Sequence, residues 1–319
     1  MISLVTGGAG FIGSHLVEKL VQLKHRVIIL DNLSTGRLSN LDKVKNKVKF
    51  IKVDLSTNKK LDKYFKKVDW VFHLAGVADV MSSMTNPVRF FNFNVNGTLN
   101  VLEASKKAKI KRLIYASSAG CYGIPDQHPT NEKAKVDPQS PYALTKLLGE
   151  QLTMRWAKIY KMPNISLRFF NVYGPRSSPK GAYGSVFNIF LAQKLAGKPL
   201  TIVGDGTQTR DFIHVFDLVD AIIQSAKAGK NNEIYNVASG KETIINTIAK
   251  RISKNQVRVG KRYGETNRSL GDIKKIKSQL KWSPKISINK GINMLLKNII
   301  YWKNAKIYTL QNKKKTKKN

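Results

Sequence analysis

"SLVTGGAGFIGSHL", residues 3–16, sets a short apolar run against a glycine-rich turn and then the start of a helical pattern. Gly7, Gly10 and Gly13 fall three apart. In a strand–turn–helix this spacing serves a tight turn, close approach of backbone to a pyrophosphate and close helix–strand packing, and the helix N-terminus favours the anion. Its position at the head of a βαβ unit separates the motif from an ordinary turn. Asp31 ends the next apolar run, "RVIILD" (26–31), eighteen residues after Gly13. A carboxylate there accepts hydrogen bonds from an adenosine ribose and repels a 2′-phosphate, so a dinucleotide is expected, NAD rather than NADP. Asp54, in "VKFIKVDL" (48–55), is a candidate for the adenine or, equally on spacing, a strand-end cap.

Working outward, "WVFHLAG" (70–76) and "RLIYASS" (112–118) are also near-continuous apolar runs, as strands covered on both faces require. Helical patterns, such as 13–23 and 95–108, lie between the runs. The alternation predicts an α/β fold, a Rossmann-like doubly wound parallel sheet. "ISLRFFNVYG" (165–174) continues it and "EIYNVAS" (233–239) returns to it. The expected division is an NAD-binding lobe over 1–171, with return segments about 207–239. A smaller mixed α/β substrate lobe then takes 172–206 and 240–305, and a disordered basic tail 306–319.

The chain has 319 residues, 42% of them hydrophobic, enough for a large core. No apolar run approaches a membrane span. No basic leader or cleavage site precedes the first strand, so no signal peptide is expected. Cys121 is the single cysteine, which excludes an internal disulfide and points to a reducing cytoplasm. Fifty-six Lys and Arg against twenty Asp and Glu give a net charge of +36. The excess is spread along the chain without zinc-finger spacing or an aromatic RNA-binding signature, so no specific nucleic-acid partner is expected. Such a charge still attracts anionic small molecules.

"SPYALTKLLGE" (140–150) reads as a helix capped by Ser140, opened by Pro141 and buried through Leu144, Leu147 and Leu148. Tyr142 and Lys146, four apart, share one face. A cation beside a phenol favours the phenolate, so the pair is an acid/base device or a Tyr under a snorkelling Lys. Ser118 closes an earlier strand, and in open parallel sheets ligands sit beyond the carboxyl ends of strands.

Ser118 followed by Tyr142-x-x-x-Lys146, after a dinucleotide fold, resembles the short-chain dehydrogenase/reductase superfamily. "TGGAGFIGSHL", "DNLSTG", "HLAG", "NVNGTLNVLEA", "SSAGCYG", "SPYALTK", "RFFNVYGPR" and "GDGTQTRDFIHV" are similar, in order, to its extended branch, the nucleotide-sugar epimerases and dehydratases. The resemblance is strongest to UDP-glucose / UDP-N-acetylglucosamine 4-epimerases. It implies NAD-dependent C4 epimerisation of a UDP-sugar through a transient 4-keto intermediate, with NAD held tightly and regenerated each cycle. It makes Tyr142 the base, Lys146 the residue that holds the nicotinamide ribose and lowers the phenol pKa, and Ser118 a hydrogen-bond partner of the same oxygen. It also draws Phe11, Ile12, Asn32, Ser34, Gly36, Leu55, Leu74, Ala75, Gly76 and Phe170 into the cofactor site. Asn171, Arg210, Arg262 and Ser269 would face the substrate, the two arginines on its diphosphate.

Related dehydratases and decarboxylases carry carboxylates just after the strand-end Ser/Thr. Residues 118–123, "SAGCYG", hold none. Reductase-type relatives use a cysteine one place before Cys121, which reads instead as a packing residue. A bulky residue at the Ser269 position excludes a 2-acetamido group in the resembled enzymes, so a small one implies that UDP-GlcNAc/UDP-GalNAc are taken as well as UDP-Glc/UDP-Gal. The loop 179–190 is similar to the acetamido-using members. The resemblance further implies a homodimer through about 94–108 and 141–160, with the lysines of "SKKAKIK" working against it. The alternatives are another NAD-dependent nucleotide-sugar epimerase, dehydratase or reductase, or a non-catalytic NAD- or nucleic-acid-binding protein. No metal ligand set is present.

Overall fold

The apolar runs of the sequence become the strands of a parallel sheet. The computed structural model describes residues 1–57, 60–177, 185–260, 266–303, 305 and 307. Arg262, residues 179–184 of the loop and all of the basic tail except residue 307 lie outside the described residues.

In chain order the strands are β1 (Ile2–Thr6), β2 (Arg26–Asp31), β3 (Val48–Lys52), β4 (Trp70–His73), β5 (Arg112–Ser118), β6 (Asn164–Phe169), β7 (Asn171–Tyr173), β8 (Leu200–Val203), β9 (Thr209–His214), β10 (Glu233–Val237), β11 (Glu242–Ile244) and β12 (Gln256–Val259). The helices are α1 (Phe11–Gln22), α2 (Asp62–Phe65), α3 (Val80–Thr85), α4 (Pro87–Phe91), α5 (Gly97–Ala108), α6 (Pro141–Ile159), α7 (Val186–Leu195), α8 (Val215–Ala228), α9 (Ile245–Ile252), α10 (Lys274–Leu280) and α11 (Ile288–Lys297).

The seven-stranded sheet has the order β3-β2-β1-β4-β5-β6-β10. Every neighbouring pair in it is parallel. Successive residues of a strand point to opposite faces, so one strand feeds two cores. Val5, Ile29, Phe72 and Ile114 meet α1 and α8 through Leu16, Val17, Leu218 and Ile222. Leu4, Leu30, Val71 and Leu113 meet α5 through Val101 and Leu102. A third core joins α7, β8, α9 and α11 through Phe187, Leu191, Leu200, Ile248 and Leu295.

Two expectations change. "ISLRFFNVYG" is two strands: β6 stays in the large sheet, and after Phe170 the chain leaves it so that β7 pairs with β9 in a three-stranded sheet. Phe170 still donates its N–H to Val237 O at 3.1 Å, so the change of layer falls at that residue. Ser140 does cap α6, accepting from the Ala143 N–H at 3.2 Å. The leucine face holds only in part: Leu147 is buried and Leu148 half-buried, but Leu144 is exposed, while Lys146, Glu150 and Thr153 turn inward. The helix lies against β5 and β6, where Ser166 and Arg168 donate to the Glu150 carboxylate and the Tyr115 hydroxyl donates to the Lys146 carbonyl.

Candidate active site

A cleft of about 1030 Å³ opens along the carboxyl ends of the strands. One end is the glycine loop. Gly7 has φ +70°, and a Cβ there would lie 2.8 Å from the Ala75 backbone nitrogen. A Cβ on Gly13 would overlap the Gly7 carbonyl oxygen, so glycine lets α1 close onto the loop. First-turn N–H groups of a helix have no partner within the helix, and Phe11 and Ile12 bring theirs to the cleft wall. Asp31 also lines it; its carboxylate accepts from Ala9 N–H at 2.9 Å and Leu33 N–H at 2.8 Å. Burial raises the Asp31 pKa above the ordinary carboxylate range, and those two amides pull against the rise. Asn32, Ser34, Leu55, Leu74, Ala75 and Gly76 line the same end.

Gly36 and Asp54 stand behind the wall. A Cβ on Gly36 would come within 3.0 Å of the Ala9 backbone. Asp54 accepts from Ser56 N–H at 2.8 Å, Ser56 Oγ at 2.6 Å and Asn32 Nδ2 at 3.0 Å. Burial acts to raise its pKa, but those hydrogen bonds outweigh it and the net shift is downward. Asp54 thus holds its own turn and Asn32, which lines the cleft.

Ser118, Tyr142 and Lys146 meet in the middle of the cleft. Ser118 ends β5, and the Ser140 cap and Pro141 fix where α6 starts, so the hydroxyl and the phenol face the same part of the cleft. Lys146 is buried, its Nζ 4.9 Å from the centre of the Tyr115 ring. Burial drops its ammonium to about 8, while Cys121 and Glu150 act to raise it. The expected lowering of the Tyr142 pKa does not hold in this cleft. Burial raises the phenol, and it outweighs the opposing hydrogen bond with Ser118.

A polar frame that sequence reasoning missed stands beneath these groups. Asn94 accepts from Val77 N–H at 2.8 Å and donates to Val77 O at 3.1 Å and Thr145 Oγ1 at 3.0 Å. Thr145 donates to Tyr142 O at 2.8 Å. His73 bridges Thr6 Oγ1 (2.7 Å) and Thr98 Oγ1 (2.9 Å), and Thr6 Oγ1 accepts from Ala75 N–H at 3.1 Å. The glycine-loop end and α6 are thereby joined, Thr98 Oγ1 donating to Asn94 O at 2.6 Å. The only sequence sign was a polar residue on an otherwise buried face, as at Asn94 in "NVNGT".

The other end of the cleft carries Phe170, Asn171, Arg210 and Ser269. Asn171 donates to Asp211 O at 3.2 Å and Arg210 to Thr209 O at 2.8 Å. Buried Asp211 accepts from Ser239 N–H and Oγ and from Gly240 and Gly271 N–H, which ties the Ser269 segment to β9. Arg268, a further cation the sequence offers for the diphosphate, also lines the cleft, as does Arg176, which was not singled out from sequence; Glu242 and Glu18 respectively pair with them. Among the described residues the carboxylates on the cleft wall are Asp31 and Asp79, and Asp79 caps α3 by accepting from Ser82 N–H at 3.1 Å. No metal-ligand cluster occurs among the described residues, and none of their helices is long and apolar enough to cross a membrane.

Residues 3–238 match the model of the NAD dependent epimerase/dehydratase family. A UDP-glucose 4-epimerase of Mycolicibacterium smegmatis is 36% identical over 307 residues, covering 92% of this chain and 96% of its own. The crystal structure of a Thermotoga maritima UDP-glucose 4-epimerase with UDP-glucose superposes with a TM-score of 0.89 at 35% identity, covering 95% of this chain and 99% of the other. A UDP-N-acetylglucosamine 4-epimerase from Methanobrevibacter ruminantium M1, in complex with UDP-N-acetylmuramic acid, gives 0.87 at 34% identity, covering 93% and 98%.

Proposed function

We propose that this chain, which belongs to the NAD dependent epimerase/dehydratase family, inverts C4 of a UDP-sugar, UDP-GlcNAc/UDP-GalNAc and also UDP-Glc/UDP-Gal, with NAD retained through the cycle. The observation that carries the reading is the content of one cleft. It joins a dinucleotide-type glycine loop to Ser118, Tyr142 and Lys146, and its described wall offers no carboxylate beside them. Elimination or decarboxylation chemistry needs an acid or base at the sugar beyond the phenol. A redox-neutral inversion needs only one group that takes a proton and gives it back.

The residues fit the cofactor. Gly7 and Gly13 leave the backbone open to a pyrophosphate, the first-turn amides of Phe11 and Ile12 suit its charge, and Asp31 suits a ribose diol. When bound, a nicotinamide would supply reversible hydride transfer, and the 4-keto sugar would receive the hydride back on its other face. As the phenolate, the Tyr142 oxygen would take the C4 hydroxyl proton and give it back when the keto sugar is reduced, with the Ser118 hydroxyl as its hydrogen-bond partner. Lys146, held in the floor by burial, orients the ribose with its Nζ. Arg210 and Asn171 hold the diphosphate end, and Arg262 is assigned there from sequence alone. Ser269 leaves room for a 2-acetamido group.

We further propose the lobe division at about 171, 207 and 239, supported by the separate core of α7, β8, α9 and α11, and a homodimer through α5 and α6. An apolar groove on α6, lined by Val95, Leu147, Leu148, Leu152 and Met154, supports the dimer. Three of the four lysines of "SKKAKIK" pair with an acid: Lys106 with Glu103 at 2.7 Å, Lys107 with Asp62 at 2.8 Å and Lys111 with Asp69 at 2.7 Å. The test is proton NMR of the purified protein with UDP-GlcNAc and no added cofactor. A new anomeric signal of UDP-GalNAc is expected. A 4-keto-6-deoxy product or net NADH release overturns the reading, and turnover of UDP-glucose alone removes only the acetamido assignment.

A further inference from the structure

Asn236 on β10 is fully buried and lies outside the cleft wall, yet every polar atom of its side chain is spent on two segments that form that wall. Its Oδ1 accepts from the Tyr122 hydroxyl at 2.7 Å. Its Nδ2 donates to Thr130 O at 2.9 Å and to Asp272 O at 3.3 Å. Its backbone N–H donates to Glu132 Oε1 at 2.9 Å. Thr130 and the 270–272 segment are laced together in turn: Thr130 N–H donates to Leu270 O at 2.8 Å and Asp272 N–H to Thr130 O at 2.9 Å. Gly271 sits where a Cβ would come within 2.8 Å of the Phe170 ring and 2.7 Å of Ala238 Cβ, so the segment has no slack on that side.

Tyr122 and Thr130 follow Ser118 in the chain, and both line the cleft; Ser269 immediately precedes the clamped residues 270–272 and lines it too. The amide thus adds to the two backbone bonds between Thr130 and 270–272 in fixing the Ser118 side of the cleft against the Ser269 side.

We propose that Asn236 is a positioning residue for the sugar-binding end of the cleft, fixing the Ser269 wall against the Ser118–Thr130 loop. This rests on the UDP-sugar reading of the site. The amide suits the task because both of its donors face carbonyl oxygens while its acceptor faces a hydroxyl donor. Asn236→Asp keeps the volume but removes both donors and turns acceptor oxygens toward two carbonyls, so the segments part. Tyr122→Phe removes one hydrogen bond and leaves both donors in place.

The test is calorimetric titration of the NAD-loaded wild type, Asn236→Asp and Tyr122→Phe with UDP and with UDP-GlcNAc, alongside thermal unfolding and the NAD content of each. The quantity read is the ratio of the two dissociation constants, which isolates the sugar from the nucleotide. In Asn236→Asp the ratio should shift about tenfold against the sugar, with UDP affinity and NAD content within about twofold of wild type. Tyr122→Phe should shift it the same way by about twofold to threefold, and this arm decides if Asn236→Asp does not fold. A lowered unfolding temperature with an unchanged ratio in the folded variants overturns the proposal and leaves Asn236 a purely structural residue. Wild-type protein that binds neither nucleotide overturns the UDP-sugar reading and this assignment with it.

Discussion

Replacing Glu150 by Ala should be among the costliest single changes in this chain, and its effect should reach Lys146. Glu150 lies one turn beyond Lys146 on α6 and faces Arg168 of β6, with side-chain exposures of 3% and 5%. The guanidinium donates to the carboxylate through Nη2 at 2.6 Å and through Nε at 3.1 Å and 3.2 Å, and Ser166 Oγ adds a bond at 3.0 Å. The pair holds the Arg168 pKa above its ordinary value, although burial alone would lower it. Removing the acid strands a desolvated cation, whose remaining contacts are the Glu132 carbonyl at 3.2 Å and the Tyr122 ring at 4.7 Å. Breaking one side of a buried pair costs about 3–5 kcal/mol, whereas replacing both sides with apolar groups of similar volume is often near neutral. Urea unfolding should therefore show a loss of about 3–5 kcal/mol for Glu150→Ala, and much less for the double variant Glu150→Leu/Arg168→Met. Glu150 also helps keep the Lys146 ammonium protonated, so its loss should lower the alkaline limb of a pH–rate profile below about 8. A single-variant loss under about 1 kcal/mol, or a double variant as unstable as the single, would refute the reasoning.

Tyr142→Phe should lower kcat by about 10²–10⁴-fold at unchanged NAD content and unfolding temperature, measured by NMR of the sugar-nucleotide exchange. Gly13→Ala drives a methyl into the Gly7 carbonyl; the purified variant should lose bound dinucleotide, read from the ratio of absorbance at nucleotide and protein maxima. Burial lowers His15 and His214 to about 4 and His73 to about 3, so these rings are neutral in the fold while unfolded histidines protonate near 6.5. Their contribution to stability is complete above pH 6.5 and is lost as pH falls toward 4; a denaturation midpoint that stays flat across that window would contradict the burial argument. Ser269→Tyr should abolish turnover of UDP-GlcNAc and spare UDP-glucose, and an equal loss on both would remove Ser269 from the sugar pocket.

The sequence by itself determined the large sheet, the glycine loop and the trio Ser118, Tyr142 and Lys146. Each of these is written locally. A parallel strand buried on both faces must be a continuous apolar run, a pyrophosphate loop needs glycines at set offsets, and a helix carries residues i and i+4 on one face. Tertiary structure alone decided what those local signals leave open. Asp54 was legible as an adenine contact or a cap, and the fold adds that it holds Ser56 and Asn32. The leucines of α6 looked like its whole buried face until Arg168 and Ser166 came to rest against Glu150. The Tyr142 phenol, one turn from a cation, was expected to acidify, and burial raised it instead. Asn94, His73 and Asn236 carry no motif, because their partners lie 17, 67 and 106 residues away in the chain. Burial and long-range hydrogen bonding depend on which surfaces meet, and that information exists only once the chain has folded.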